Sequence, residues 1–225
     1  MSQISREYKL GDFFRNFIAV ALGIIITFAG GDWIEKRKTQ KEINDALQLV
    51  KAEMQTNQET LQSLIERITL EQEGAIYLLN HKGRMKEIPI DSLNKYVALP
   101  LQWANFTFSN NAMEMLKTSG LIQKIENKEL SLQILATYTE ITEVEKAYST
   151  YAEIKKELQS NLDNIPNISQ NIQDLNIEDT WEFYLKYPEG IQLLQQIPQI
   201  QGTELYKNRL KHINEVIKFI EKECN

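Results

Sequence analysis

Sixteen consecutive residues, Asn16 to Gly31 (NFIAVALGIIITFAGG), carry no charge, and this run constrains the chain more than any other. As a helix it is about 24 Å long, whereas a bilayer core of about 30 Å needs roughly 20 residues. Extending it to Phe13–Ile34 adds enough length if Arg15 snorkels outward and Asp32 sits among headgroups. Phe13, Phe14 and Trp33 then fall at the two interfaces, where aromatic rings are favoured. The reading is a single transmembrane helix over 13–34, preceded by an N-terminal tail at 1–12. A cleavable signal would end in small residues at an A-x-A-like site. Here Gly30 and Gly31 run straight into Asp32-Trp33-Ile34 and the basic cluster Lys36-Arg37-Lys38. Arg15, Trp33, Lys36, Arg37 and Lys38 are the expected membrane-interface residues. Ala19, Gly23, Thr27 and Gly31 recur every fourth residue and make a stripe of small side chains suited to helix–helix contact in lipid. No acid, His or Lys interrupts the middle of the run, which argues against a proton relay or ion pathway through it.

The stretch Leu22 to Lys38 (LGIIITFAGGDWIEKRK) resembles the anchor of a bacterial family of uncharacterised single-pass membrane proteins. The likeness rests on Gly23, Ile24, Trp33, Glu35 and Lys36-Arg37-Lys38. A second stretch, Phe106 to Tyr138, is similar through Leu116, Ser119, Gly120, Ile125, Leu130 and Tyr138. The chain departs from that family's pattern at Asn16, where an acid is usual, and at Gly31-Asp32, where Asn-Asn is usual. The resemblance implies an architecture and a place in the bacterial inner membrane, and no activity. Basic residues do not settle orientation, since Arg6, Lys9 and Arg15 before the span face Lys36, Arg37, Lys38 and Lys41 after it. The resemblance implies that the bulk of the chain is periplasmic.

Beyond the span, apolar positions step by four and three at Ile43, Leu47, Val50, Met54, Leu61, Leu64 and Ile68, with Asn57 in the one polar place. This is a coiled-coil or bundle seam. Asn57 there is either a register device or an Asn at a bundle edge. No Pro or Gly lies between Asp32 and Gln72, so one helix is expected to continue unbroken, with a long juxtamembrane helix at 35–82. A helical bundle is expected over 83–225, packed on the distal part of that helix. Its helices are separated by Gly120, Pro166 and Pro188, with Asn127 and Asp179 as caps. With nine Gly and five Pro among 225 residues, the composition favours long helices over strands and turns. The expected fold class is all-α: a transmembrane helix continuing into a long helix, then a bundle with coiled-coil-like packing.

The sequence offers no catalytic, cofactor-binding or metal-ligating set. His81 and His212 have no second His or Cys at ligand spacing, and Cys224 is the only thiol. The net charge of −6 gives no reason to expect nucleic acid. The reading is therefore of a non-enzymatic, membrane-anchored scaffold or protein-interaction module that self-associates. Its partners would be membrane lipid, further copies of itself and another membrane protein. The alternative is a ligand-sensing bundle with a pocket lined by Tyr138, Tyr148, Tyr151 and Trp181, although such a stripe is more often core. A pore made by assembling the spans is the weakest reading, because the helix lacks a polar face.

Overall fold

A computed structural model describes residues 4–168, 172–173, 175–200 and 202–224; within the first helix, the side chains of 4–13, 25, 26, 28, 29 and 32 lie outside the described set. The described chain is helical, with no strand. Helix α1 spans Ile4–Asn80. It is followed by α2 (Ile90–Tyr96), α3 (Asn111–Thr118), α4 (Leu121–Lys124), α5 (Lys128–Asp163), α6 (Ile177–Tyr184), α7 (Pro188–Ile200) and α8 (Glu204–Cys224), with 3-10 turns at Met85–Glu87 and Leu99–Leu101.

The stretch expected to be an N-terminal tail is therefore helical from Ile4 onward. The expected transmembrane span at 13–34 needs a correction. Among the described residues no helix is long and apolar enough to cross a membrane. The uncharged run is shorter than a bilayer core, and it is an interior stretch of a 77-residue helix. Of that span, the side chains of Phe13, Ile25, Ile26, Phe28, Ala29 and Asp32 lie outside the described residues.

Four legs run alternately up and down. Helix α1 goes up from the N-terminal end, and the segment 81–127 returns beside it, because Gln102 lies against Arg67, Ser109 against Asn57 and Ala112 against Glu53. Helix α5 goes up again. Helices α7 and α8 together come down, with Asn214 at Gln58 and Glu221 at Lys51. The second leg is the irregular one. Its three short helices and two 3-10 turns are interrupted by chain without regular structure at 102–110.

This leg still has to bury its apolar side chains. It does so in two cores stacked along the bundle. The lower core joins the α1 seam to Met113, Leu116, Ile134, Ile141, Ile213 and Ile217. The upper core joins Ala75 and Leu78 to Leu93, Leu158, Trp181, Leu193 and Leu194. Gly120 turns the chain between α3 and α4 in the left-handed region (φ 70°), which a side chain resists. Asn127 caps α5 by accepting from the Leu130 amide at 3.2 Å. The cap of α6 is Asn176 rather than the expected Asp179: its side chain accepts from the Asp179 amide at 2.8 Å.

Candidate functional site

Every predicted seam residue of α1 is buried: Ile43, Leu47, Val50, Met54, Leu61, Leu64 and Ile68 all belong to the lower core. Their partners are α3, α5 and α8 of the same chain, so in the single chain the heptad step serves an intramolecular bundle. Asn57 is neither a bundle-edge residue nor a contact to another copy. It is 1% exposed, its amide donates to the Ser109 carbonyl at 2.7 Å, and its side-chain oxygen accepts from the Ser109 amide at 2.8 Å. A buried polar group costs free energy unless it is paired. Here both halves of the amide are used to pin the irregular second leg.

One turn earlier, Glu53 performs a related task. Its carboxylate accepts from the Tyr138 hydroxyl at 2.6 Å, the Ser109 hydroxyl at 2.7 Å and the Ala112 amide at 2.9 Å. The first turn of α3 has no cap from its own Asn110, so α1 supplies that cap from outside. Burial pushes the Glu53 carboxyl up, but the hydrogen bonds from Tyr138, Ala112, Ser109 and Met113 outweigh it. The group is held below its ordinary value.

Between the two cores lies a buried ionic layer that the sequence did not announce. Lys155 of α5 pairs with Glu71 of α1, both side chains only 3% exposed. The ammonium also donates to the carbonyls of Gln102 at 2.7 Å and Leu99 at 3.1 Å, and lies 5.4 Å from the centre of the Trp103 ring. Arg67 approaches Glu71 at 4.0 Å. Burial pushes Lys155 down even though Glu71 pulls it up. Tyr151 is buried beside the same carboxylate, and burial and Glu71 both push its hydroxyl up. Glu71 and Lys155 are 84 positions apart, so no local spacing could reveal the pair.

Of the four aromatic residues considered for a sensor pocket, Tyr148 and Tyr151 have ring centres 6.0 Å apart, but the other two lie in different cores. Tyr138 belongs to the lower core and Trp181 to the upper. Their polar atoms are engaged, Tyr138 with Glu53 and Trp181 Nε1 with the Val97 carbonyl at 2.7 Å. The Tyr148 hydroxyl donates to the Ala104 carbonyl at 2.7 Å. Among the described residues no group of three or more His, Cys, Asp or Glu is placed to hold a metal.

The N-terminal third of α1 differs from the rest of the molecule. Ile18, Val20, Leu22, Ile24, Trp33 and Ile34 are 50–64% exposed, and the first buried residue of the seam is Ile43. At 100° per residue, the large side chains at 14, 17, 18, 20, 22 and 24 surround the helix except for one sector of about 160°. Ala19, Gly23 and Thr27 fall inside it; Gly31 lies just past its edge. All four are exposed, a Cβ at Gly23 would meet nothing within 4 Å, and the Thr27 hydroxyl turns back to the Gly23 carbonyl at 2.7 Å. The expected interface residues Arg15, Trp33, Lys36, Arg37 and Lys38 are exposed as well. Arg37 stacks over Trp33 at 4.8 Å, and Lys38 approaches Glu42 at 3.9 Å. Comparison with protein-family models, with curated proteins and with solved structures finds no match.

Proposed function

We propose that this chain is a membrane-anchored helical scaffold or interaction module that self-associates, with the start of α1 held in a bilayer and the bundle just above it. One observation carries the reading: the described large apolar residues of α1 between Phe14 and Ile34 (Phe14, Phe17, Ile18, Val20, Leu22, Ile24, Trp33 and Ile34) stand half to two-thirds exposed on a helix whose bundle begins only at Ile43. Contiguous apolar surface of this kind marks a membrane or protein contact. Burying each such side chain is worth about 1.5–3 kcal/mol. An apolar surface that covers more than half of a helix's circumference suits lipid better than one protein groove. The sector of Ala19, Gly23 and Thr27 is where a second copy would approach. The likeness of Leu22–Lys38 to bacterial single-pass anchors supports the same placement, in the inner membrane with the bundle on the periplasmic side.

The test uses the full chain. After alkaline carbonate treatment it should float with lipid on a density gradient; recovery in the soluble fraction would refute the anchor. Gly23→Ile leaves the bundle alone, because a Cβ there meets nothing within 4 Å. It should lower the oligomer size in detergent, and an unchanged size would refute that face. The sensor reading needs one pocket shared by Tyr138, Tyr148, Tyr151 and Trp181, of which Tyr138 and Trp181 belong to separate cores.

A further inference from the structure

Where α1 leaves its apolar segment, it forms one wall of an open groove of about 750 Å³. That wall holds Trp33, Glu35, Lys36 and Arg37; the other holds Lys124, the last residue of α4, and Glu126 of the corner that follows. The size lies in the range of small-ligand sites, about 300–1,000 Å³. The lining is mixed: beside Trp33 and Ile43 it carries five charged side chains. Three cations face two carboxylates, leaving one positive charge in excess. Among the described residues neither Lys36 nor Lys124 forms an ion pair within 4 Å. Arg37 is turned over Trp33.

The height of the groove indicates what it meets. The headgroup layer on each side of a bilayer core is about 5–8 Å deep. With Trp33 at the boundary, Lys36 and Arg37 stand about 4–6 Å farther along the helix, at the level of the phosphates. The fold brings Lys124 and Glu126 to the same groove as Lys36 and Arg37 from 87 and more positions away in sequence. A basic flank on one helix could do no more than attract a surface. A second wall makes a place for one headgroup.

We propose that this groove holds the headgroup of a monoanionic glycerol phospholipid, its phosphate set against Lys36, Arg37 and Lys124 and its glycerol hydroxyls donating to Glu35 and Glu126. The single negative charge matches the single excess positive charge of the lining. The two carboxylates repel a headgroup with several negative charges, and a choline headgroup offers them no N–H or O–H donor. The bound lipid fixes the bundle against the bilayer surface. This inference rests on the membrane reading above.

The full chain, reconstituted into phosphatidylcholine nanodiscs with or without phosphatidylglycerol, tests it through the acylation rate of individual lysines. Phosphatidylglycerol should slow Lys36 and Lys124 about fivefold, the equivalent of about 1 kcal/mol per basic residue near an anionic surface. Lys82, just past the far end of α1, should be unchanged. Lys124→Gln alters an exposed side chain and should reduce the protection of Lys36 while the helical circular dichroism stays the same. Equal Lys124 rates in the two discs would overturn the groove while leaving the anchor standing. Protection of Lys36 alone would also overturn it, as would protection that follows protein concentration, the sign of a second copy in the groove. A chain that enters neither disc would refute the membrane reading, and the groove with it.

Discussion

Replacing Lys155 by Met removes the centre of the ionic layer, and the structure sets the size of the loss. The Glu71 carboxylate stays buried with Arg67 only at 4.0 Å, and the Leu99 and Gln102 carbonyls lose their ammonium donor. Breaking a buried pair from one side costs about 3–5 kcal/mol. For a chain of this length each kcal/mol moves Tm by about 2–4 °C, so the expected fall is about 6–20 °C. The measurement is thermal unfolding of the full chain in detergent, followed by circular dichroism at 222 nm. The double variant Glu71→Leu with Lys155→Met removes both charges and should be less destabilised than the sum of the two single changes. Its residual loss comes from the two carbonyls, at about 1–3 kcal/mol for each buried group left unpaired. A fall below about 2 °C for Lys155→Met, or strict additivity in the double variant, would refute the view that the two charges act as one buried unit.

Two further outcomes follow from local geometry. The folded-state Glu53 carboxyl titrates below its ordinary value of 4.5, so its contribution is present above that value and lost as pH falls through the lower folded value. Glu53→Gln should therefore lower stability at neutral pH and flatten the acid side of the stability curve relative to the parent; parallel acid limbs would refute the capping role. Gly190→Ala should cost more than Gly120→Ala, as read from the two melting temperatures. A Cβ at Gly190 would collide with the Tyr184 carbonyl, whereas at Gly120 it meets nothing and the cost is the left-handed backbone, about 1–2 kcal/mol. Equal losses would overturn this account.

The seam from Ile43 to Ile68 was legible because helix periodicity is a local property: residues three and four apart share a face whatever they pack against. The Gly120 corner and the Asn127 cap were legible for the same reason, since each acts within a few residues. Asp179 was misread because Asn176, three positions earlier, has the same capping chemistry and a better-placed oxygen. Asn57 marks the boundary of this kind of reasoning. The sequence placed it at a core position, but only the fold could show that its partner is the backbone of Ser109.

What the sequence determined alone was the all-helical class, the face α1 would bury and the uncharged run that stands outside the bundle. Those follow from composition and period. Tertiary structure decided that a largely irregular leg fills the second place in the bundle. It also placed a Glu71–Lys155 layer between two cores and brought Lys124 across to Lys36. Such pairings join residues tens of positions apart. Their free energy depends on burial and on neighbours from other elements, which no local pattern encodes.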